Sequence, residues 1–227
     1  YNQWNPFTDN HNNPIIIGRD RDKYLGVRAV IGGSNNHLLF ITYYFNNISV
    51  FGLNTFRFIK HDTLPTKIGI IFHCFVSNSE NVQEQEMMKT NKQNDKMLLF
   101  CKSIGLSIKY NEENNIFQFH QLSVSDNVAL LHKFAYVCIN DAIFFTSKSV
   151  RKYSIRENKW ITFQNNLPIQ LCHCVAVLNE EDNDIHIIGG RDDEKSIVST
   201  HMKTKVRVWN PSHLVMIYLF IALIKHK

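Results

Sequence analysis

The chain repeats one pattern of apolar and polar positions with a period of about 40–50 residues. Each repeat has an apolar run, a polar turn, a second apolar run, and two further segments of which the last alternates polar and aromatic residues. The second run is almost purely apolar, which is typical of a strand buried on both faces. The alternating last segment indicates a strand with one face in solvent. The pattern therefore predicts four four-stranded sheets, in units at 27–65, 68–124, 134–168 and 172–209.

Aromatic residues mark the same positions in successive repeats. In the third unit Tyr153 and Trp160 lie seven residues apart, and Tyr153 aligns with Phe51 and Tyr110. The outer aromatic positions align as Trp4, Phe56, Phe117, Trp160 and Trp209, which are 52, 61, 43 and 49 residues apart. This period is that of the blades of a β-propeller, whose sheets cannot bury their own apolar faces and stack on their neighbours.

Three segments depart from the repeat. Ser77 to Lys96 is a polar insertion with too few apolar residues to fold alone, and we expect it to be disordered. Tyr1 to Phe7 is predicted to be an extra outer strand, and a chain that opens at Tyr1 is expected to be a fragment or an incomplete gene model. The apolar tail within 210–227, Leu214 to Ile224, is shorter than the about 20 residues of a membrane span. It is interpreted as a segment packed on the propeller edge, with an altered gene end or a membrane anchor as alternatives.

Composition narrows the class of partner. A chain of 227 residues with 44% hydrophobic and 20% charged residues can bury one sizeable core. The net charge of +5 is mild, and the basic stretch Lys203 to Arg207 has no aromatic stacking platform, so no nucleic-acid partner is expected. The odd count of five cysteines predicts a reducing compartment and a cytoplasmic location.

Few residues are candidates for metal binding or catalysis. Cys172-His173-Cys174 has the form of half a metal site, but no second ligand pair stands at zinc spacing, so buried thiols are the favoured interpretation. The carboxylates in Arg191 to Glu194 could bind a cation, although a solvated turn is favoured. His186 alternates with Ile185 and Ile187, so its side chain should point to the opposite face. No catalytic residue, metal site or cofactor is predicted, and the chain is not expected to be an enzyme.

The repeat resembles the kelch motif. The residues that carry the resemblance are Ile187-Ile188-Gly189-Gly190 after a strand, the Tyr153 and Trp160 pair, and Leu167-Pro168. The chain is similar over residues 1 to 209 to diverged proteins of the kelch motif family, although the first three units lack the glycine pair. The resemblance implies an all-β, kelch-type β-propeller with about four four-stranded blades plus an extra N-terminal strand. Family propellers have about six blades, so closure of a ring by this chain alone is left open.

The resemblance also implies a function. Kelch propellers serve as adaptors that bind other proteins, so the expected partner is another protein and a membrane partner is not expected. The loops after the second strands form the expected binding surface, with candidate residues Tyr43, Tyr44, Lys102, Lys148, Arg191, Asp192, Asp193, Glu194 and Lys195. The alternatives are a propeller enzyme with a metal or glycan site, and a truncated family member without function.

Overall fold

All regular secondary structure in the described part of the chain is β-strand. The structure is a computed structural model. It describes residues 6–19, 21–77, 94–124, 134–139, 141–146, 149–166, 171–179, 181–182, 184–192, 194, 196–199 and 201–205. The chain divides into two compact units, unit 1 from Tyr1 to Leu122 and unit 2 from Ser123 to Lys227.

Unit 1 contains two four-stranded antiparallel sheets whose strands follow chain order. The strands of sheet 1 are β1 Lys23–Gly32, β2 Leu38–Tyr44, β3 Asn47–Gly52 and β4 Arg57–Thr63. The strands of sheet 2 are β5 Cys74–Ser77, β6 Asn94–Cys101, β7 Ile104–Asn111 and β8 Ile116–Gln121.

Unit 2 has the same meander topology. The strands of sheet 3 are β9 Ala135–Ile139, β10 Ala142–Thr146, β11 Ser149–Ser154 and β12 Lys159–Asn166. The described strands of sheet 4 are β13 Val175–Asn179, β14 Asp184–Ile188 and β15 His201–Lys205. The predicted last strand, Lys205 to Trp209, lies beyond Lys205 outside the described residues. The predicted all-β class is confirmed, and sheets 1 to 3 are four-stranded antiparallel meanders, the form predicted for propeller blades.

The second strand of sheet 1 is buried on both faces, as the sequence predicts. Phe40 and Ile41 are neighbours that point to opposite faces, and both are almost fully buried. On one face, residues of sheet 1 share a core with sheet 2; this core includes Leu38, Phe40, Ile48, Val50, Met97, Leu99, Leu106, Ile108 and Tyr110. The other face is covered partly by the N-terminal segment, in a cluster that includes Ile41, Tyr43, Phe51, Ile15 and Ile17.

Unit 2 has a core of its own between sheets 3 and 4. Its buried residues include Ala135, Val137, Phe144, Ile185, Ile187 and Met202. The opposite face of sheet 4 has Val175, Val177 and Ile188 about half exposed. From Ile185 to Ile188, fully buried and less buried positions alternate with the two-residue period of a strand.

A repeated aromatic hairpin joins the third and fourth strands of sheets 1 to 3. The cross-strand pairs are Phe51 with Phe58, Tyr110 with Phe117, and Tyr153 with Trp160, with ring centroids 5.2, 4.8 and 5.0 Å apart. The sequence alignment that placed Phe56 with Phe117 and Trp160 is therefore wrong by two residues. Phe56 instead occupies the left-handed position of the turn.

Left-handed backbone at this turn explains the misalignment. Phe56, Asn115 and Asn158 lie five residues after the first aromatic residue of each pair, with φ of 56°, 55° and 53°. Asparagine tolerates this conformation better than most residues. The hydroxyl of Tyr110 donates a hydrogen bond to Oδ1 of Asn115 at 2.6 Å, and Tyr153 binds Asn158 in the same way. Phe51 has no hydroxyl, so the first hairpin cannot form this bond.

The predicted bounds of the insertion and of the first strand of sheet 2 differ from those in the structure. The insertion is shorter than predicted, because Ser77 ends β5 and β6 begins at Asn94; residues 78–93 lie outside the described residues. The first strand of sheet 2 begins at Cys74 rather than Ile68, which belongs to the preceding linker. Trp4, Trp209 and residues 210–227 also lie outside the described residues.

Replacing Asn115 with alanine should destabilise sheet 2. The change removes the acceptor for Tyr110 and places alanine in a left-handed conformation, at a combined cost of about 1–3 kcal/mol. The measurement is the midpoint of urea unfolding by circular dichroism. Asn114→Ala is the matched control, since Asn114 is an exposed neighbour in the same turn. Equal midpoints for the two variants would contradict this role for the hairpin.

Candidate functional site

Four apolar side chains are exposed around the turn between β2 and β3. Tyr44 ends β2 and is 38% exposed, and Phe45 in the turn is 55% exposed. Ile68 in the following linker is 38% exposed, and Leu25 in the β-bulge of β1 is 59% exposed. We call these four residues the β2–β3 turn surface.

Hydrogen bonds hold the turn surface in place. The Phe45 carbonyl accepts the Ile70 backbone N–H at 2.7 Å, and the Tyr44 carbonyl accepts Nδ2 of Asn47 at 2.8 Å. Asn46 is bonded on both sides: its Nδ2 donates to the Thr66 carbonyl at 2.8 Å, and its own carbonyl accepts the Leu64 N–H at 2.7 Å. The turn and the linker from Leu64 to Ile70 therefore support each other. Such a surface is ordered before any partner arrives, which lowers the entropy cost of binding.

Close packing fixes the orientation of the Phe45 ring. The rings of Tyr44 and Phe45 meet edge to face, with centroids 5.9 Å apart. A β-carbon at Gly69 would lie 2.9 Å from the Phe45 ring, so only glycine allows the linker to approach this closely. The partly exposed Phe45 ring therefore packs against the backbone at Gly69.

A polar network lies on the face of sheet 1 behind the turn. Nε and one terminal nitrogen of Arg19 donate to the two carboxylate oxygens of Asp22, each at 2.9 Å. The hydrogen bonds from Arg19 hold the pKa of Asp22 below its usual range. Burial, followed by the charge of Asp22, raises the pKa of Tyr24. Arg19 also donates to the Tyr43 hydroxyl at 3.3 Å, and the Tyr24 and Tyr43 rings lie 4.7 Å apart.

The network continues to a serine–histidine pair. The Tyr43 hydroxyl lies 3.2 Å from Oγ of Ser49, and that oxygen lies 2.7 Å from Nδ1 of His61. Burial, followed by the charge of Arg19, lowers the pKa of His61. A nucleophilic serine has to reach its substrate, and Ser49 is 0% exposed. The arrangement therefore orders the sheet face beneath the turn and offers no accessible nucleophile at Ser49.

Of the two tyrosines predicted to bind a partner, one is buried and the other is exposed. Both Tyr43 and Tyr44 lie in β2, but Tyr43 is only 2% exposed and belongs to the interior cluster. Tyr44 is the member of the pair that reaches the surface. Lys102 lies in the equivalent turn between β6 and β7, half-buried, with φ of 53°. Lys148 lies outside the described residues.

The predicted Arg191 loop lies between β14 and β15 in unit 2. Arg191 and Cys172 exchange two backbone hydrogen bonds of 2.8 and 2.9 Å, and Oδ1 of Asp192 accepts the Ser196 N–H at 2.8 Å. The Asp192 carboxylate thus serves as an internal turn acceptor. Arg191 and Glu194 are exposed, whereas Asp193 and Lys195 lie outside the described residues.

The glycine pair shapes the start of this loop. Gly189 and Gly190 have φ of 66° and 109°. A β-carbon at Gly190 would lie 2.8 Å from the Cys172 carbonyl oxygen, whereas one at Gly189 would meet nothing within 4 Å. The pair therefore provides the tight bend, and Gly190 provides the close backbone approach.

Metal-ligating residues do not converge in the described part of the chain. No group of three or more His, Cys, Asp or Glu residues there is placed to hold a metal ion. Cys174 is buried, and burial raises the pKa of its thiol. His186 lies on the face opposite Ile185 and Ile187, as predicted, where its Nδ1 is 2.7 Å from Nε2 of His201.

Sequence reasoning missed Phe45, Ile68 and Leu25. The run Tyr43-Tyr44-Phe45 directly before two asparagines was an available signal, because three aromatic residues leading into a turn cannot all face the core. Ile68 and Leu25 gave no such signal. Their exposure depends on the path of the linker and on the bulge in β1.

Comparisons with known proteins identify no family. No protein-family model matches the chain, and no curated protein matches it. Among solved structures, it is similar to U3-55K, with 12% identity over 80% of this chain and 52% of that one and a TM-score of 0.45. It is also similar to the RRP9 WD40 repeats, with 12% identity over 80% of this chain and 51% of that one and a TM-score of 0.44. A third similar structure is YjhT, with 11% identity over 82% of this chain and 81% of that one and a TM-score of 0.39. The chain spans about half the length of the first two.

Within the described ranges, no helix has the length and apolar content needed to cross a bilayer.

Buried His73 should make stability depend on pH. Its Nε2 lies 2.6 Å from Oγ1 of Thr42 in β2, and burial lowers its pKa to about 3. Between that value and the unfolded pKa of about 6.5, only the unfolded chain binds the proton, so stability is lost as pH falls. The contribution amounts to about 2 kcal/mol between pH 7 and pH 5.

The test compares urea midpoints at both pH values for the native chain and His73→Gln. The variant should lose about 2 kcal/mol less stability on acidification. His120→Gln, on the exposed side of β8, should retain the full pH dependence. An unchanged pH dependence in His73→Gln would show that His73 does not carry it.

Proposed function

We propose that this chain is a protein-interaction scaffold and that a partner protein binds the β2–β3 turn surface of unit 1. The observation that carries the proposal is the exposure of Tyr44, Phe45, Ile68 and Leu25 on a turn fixed by hydrogen bonds. Exposed apolar clusters commonly mark interaction sites, and aromatic residues are enriched at the centres of interfaces. A rigid sheet that presents a loop is the usual architecture for such binding.

A binding role fits the polar groups better than catalysis does. In both hydroxyl–histidine pairs described above, Ser49 with His61 and Thr42 with His73, the hydroxyl residue is fully buried. We therefore propose that the chain has no catalytic role. A metal or glycan site of the propeller-enzyme type would need convergent accessible side chains, and no observation favours one.

The assignment to the kelch type and to the cytoplasm is also a proposal. The resemblance to the kelch motif rests partly on the Tyr153 and Trp160 pair, whose rings are 5.0 Å apart, and on the Gly189-Gly190 bend. On that basis we propose a kelch-type adaptor in the cytoplasm. The Arg191 loop of unit 2 stays a predicted second contact.

Substituting the turn surface should remove partner binding. The full chain, Phe45→Ser and Tyr44→Ser would each be used to capture proteins from a cell extract, followed by quantitative mass spectrometry. Loss of an aromatic side chain at the centre of an interface costs about 1–3 kcal/mol, so the affinity for a true partner should fall about fivefold or more and its recovery should fall with it.

The control for this experiment is Ile116→Ser. Ile116 is 50% exposed and begins β8, so it tests the loss of surface apolar area away from the β2–β3 turn. Its partner recovery should match that of the native chain. Equal recovery for all the variants would contradict the assignment of this surface.

A further inference from the structure

We propose that the partner segment docking on the β2–β3 turn surface is an acidic stretch of protein with an apolar side chain at its centre. This inference rests on the proposed function and adds the chemistry of the partner. It follows from the charges that surround the four apolar residues.

Two lysines flank the turn surface. Lys23 pairs across the strands with Tyr44, and Lys67 precedes Ile68 in the linker. Both are exposed, and neither forms an ion pair with any residue in the described part of the chain. Two uncompensated positive charges therefore border the apolar area.

Acidic groups near this end of sheet 1 are already paired. The Asp62 carboxylate lies 4.0 Å from Nζ of Lys60. Asp22 is bound by Arg19 at 2.9 Å, with only 8% of its side chain exposed. Among the described residues, the net charge presented around the turn surface is consequently positive.

A third cation, Lys102, lies in a turn that approaches the residue after the linker. Sγ of Cys101 is 3.9 Å from the Ile71 carbonyl oxygen, so the β6–β7 turn that follows Cys101 approaches Ile71. Lys102 stands in that turn. The positive border thus extends beyond the β2–β3 turn toward one of the predicted binding residues.

The two kinds of group would have different roles. An exposed ion pair contributes less to affinity than a buried aromatic or aliphatic anchor does. The apolar contact would therefore supply most of the affinity. The lysines would speed association with acidic segments and disfavour basic ones.

Geometry favours a protein over a nucleic acid. Bases of a single strand stack on aromatic faces, but Tyr44 and Phe45 are 76° apart and Phe45 packs against the Gly69 backbone. The rings therefore do not form a parallel platform for successive bases. Leu25 and Ile68 add aliphatic surface that suits an apolar side chain.

The test selects random short peptides displayed on phage against the full-length chain. Enriched peptides should carry net negative charge and at least one large apolar residue. The most enriched peptide is then measured by fluorescence anisotropy. Its affinity should fall about tenfold or more for the double variant K23E and K67E, and should also fall as salt rises from about 0.05 to 0.5 M.

Arg57→Glu is the matched charge control. Arg57 is exposed at the start of β4, at the opposite end of sheet 1 from the β2–β3 turn. This variant should change peptide affinity less than about twofold. Circular dichroism and thermal unfolding of each variant establish that it is folded.

Several outcomes would overturn the inference. Enrichment of neutral or basic peptides, absence of any enrichment, or unchanged affinity in the double lysine variant would each do so. Preferential binding of a labelled oligothymidine probe, lost in that variant, would overturn it in favour of a nucleic-acid site. If Phe45→Ser removes peptide binding while the lysine variant does not, the proposed function stands and only the partner chemistry is wrong. If neither changes binding, both fail.

Discussion

The second strand of sheet 1 is apolar on both faces, and unit 1 depends on keeping both faces away from water. Phe40 faces the core shared with sheet 2, and Ile41 faces the cluster covered by the N-terminal segment. Burial of each such side chain stabilises the fold by about 1.5–3 kcal/mol. Sheet 2 covers only one of these faces, so sheet 1 needs a second cover on the other, which the N-terminal segment partly provides.

The same constraint fixes the turn at the end of this strand. Because β2 and β3 are held on both faces, the turn between them has a defined position, and the linker that leaves β4 bonds to it through Asn46 and Phe45. Phe45 and Tyr44 then remain exposed because the linker occupies the space beside them rather than above them. The exposure of the β2–β3 turn surface is therefore a consequence of how sheet 1 is packed.

The sequence predicted the sheets well because their signals are local. Apolar runs, alternation and the regular spacing of aromatic residues identified the repeated sheets and the doubly buried second strands of sheets 1 to 3, whereas Ile188 in the second strand of sheet 4 is half exposed. The cross-strand partner of Phe51 was assigned to Phe56 instead of Phe58. Phe56 occupies a left-handed turn position that asparagine occupies in the next two hairpins, and the spacing of apolar residues does not reveal the backbone angle φ. Likewise, Ile68 looked like the start of a strand, but hydrogen bonds tie its linker to the preceding turn.

The candidate site was harder to predict because exposure is decided by tertiary contacts. Tyr43 and Tyr44 are alike in sequence, yet one ring joins a buried network with Arg19 and Ser49 while the other is exposed. The loops predicted after the second strands include the β2–β3 turn, where Tyr44 is exposed and Tyr43 is not. Which side chains are exposed there could be seen only once the path of the linker was known.

Hydrogen–deuterium exchange on Phe40→Ala tests most directly whether the shared core holds sheets 1 and 2 together. Phe40 meets Tyr110 of sheet 2 with ring centroids 5.3 Å apart, and its truncation should cost about 3–5 kcal/mol. The account predicts that amides of β6 and β7 exchange faster along with those of β2 and β3, while Ile31→Ala at an exposed position of β1 leaves all four strands unchanged. Faster exchange confined to β1 through β4 would contradict it.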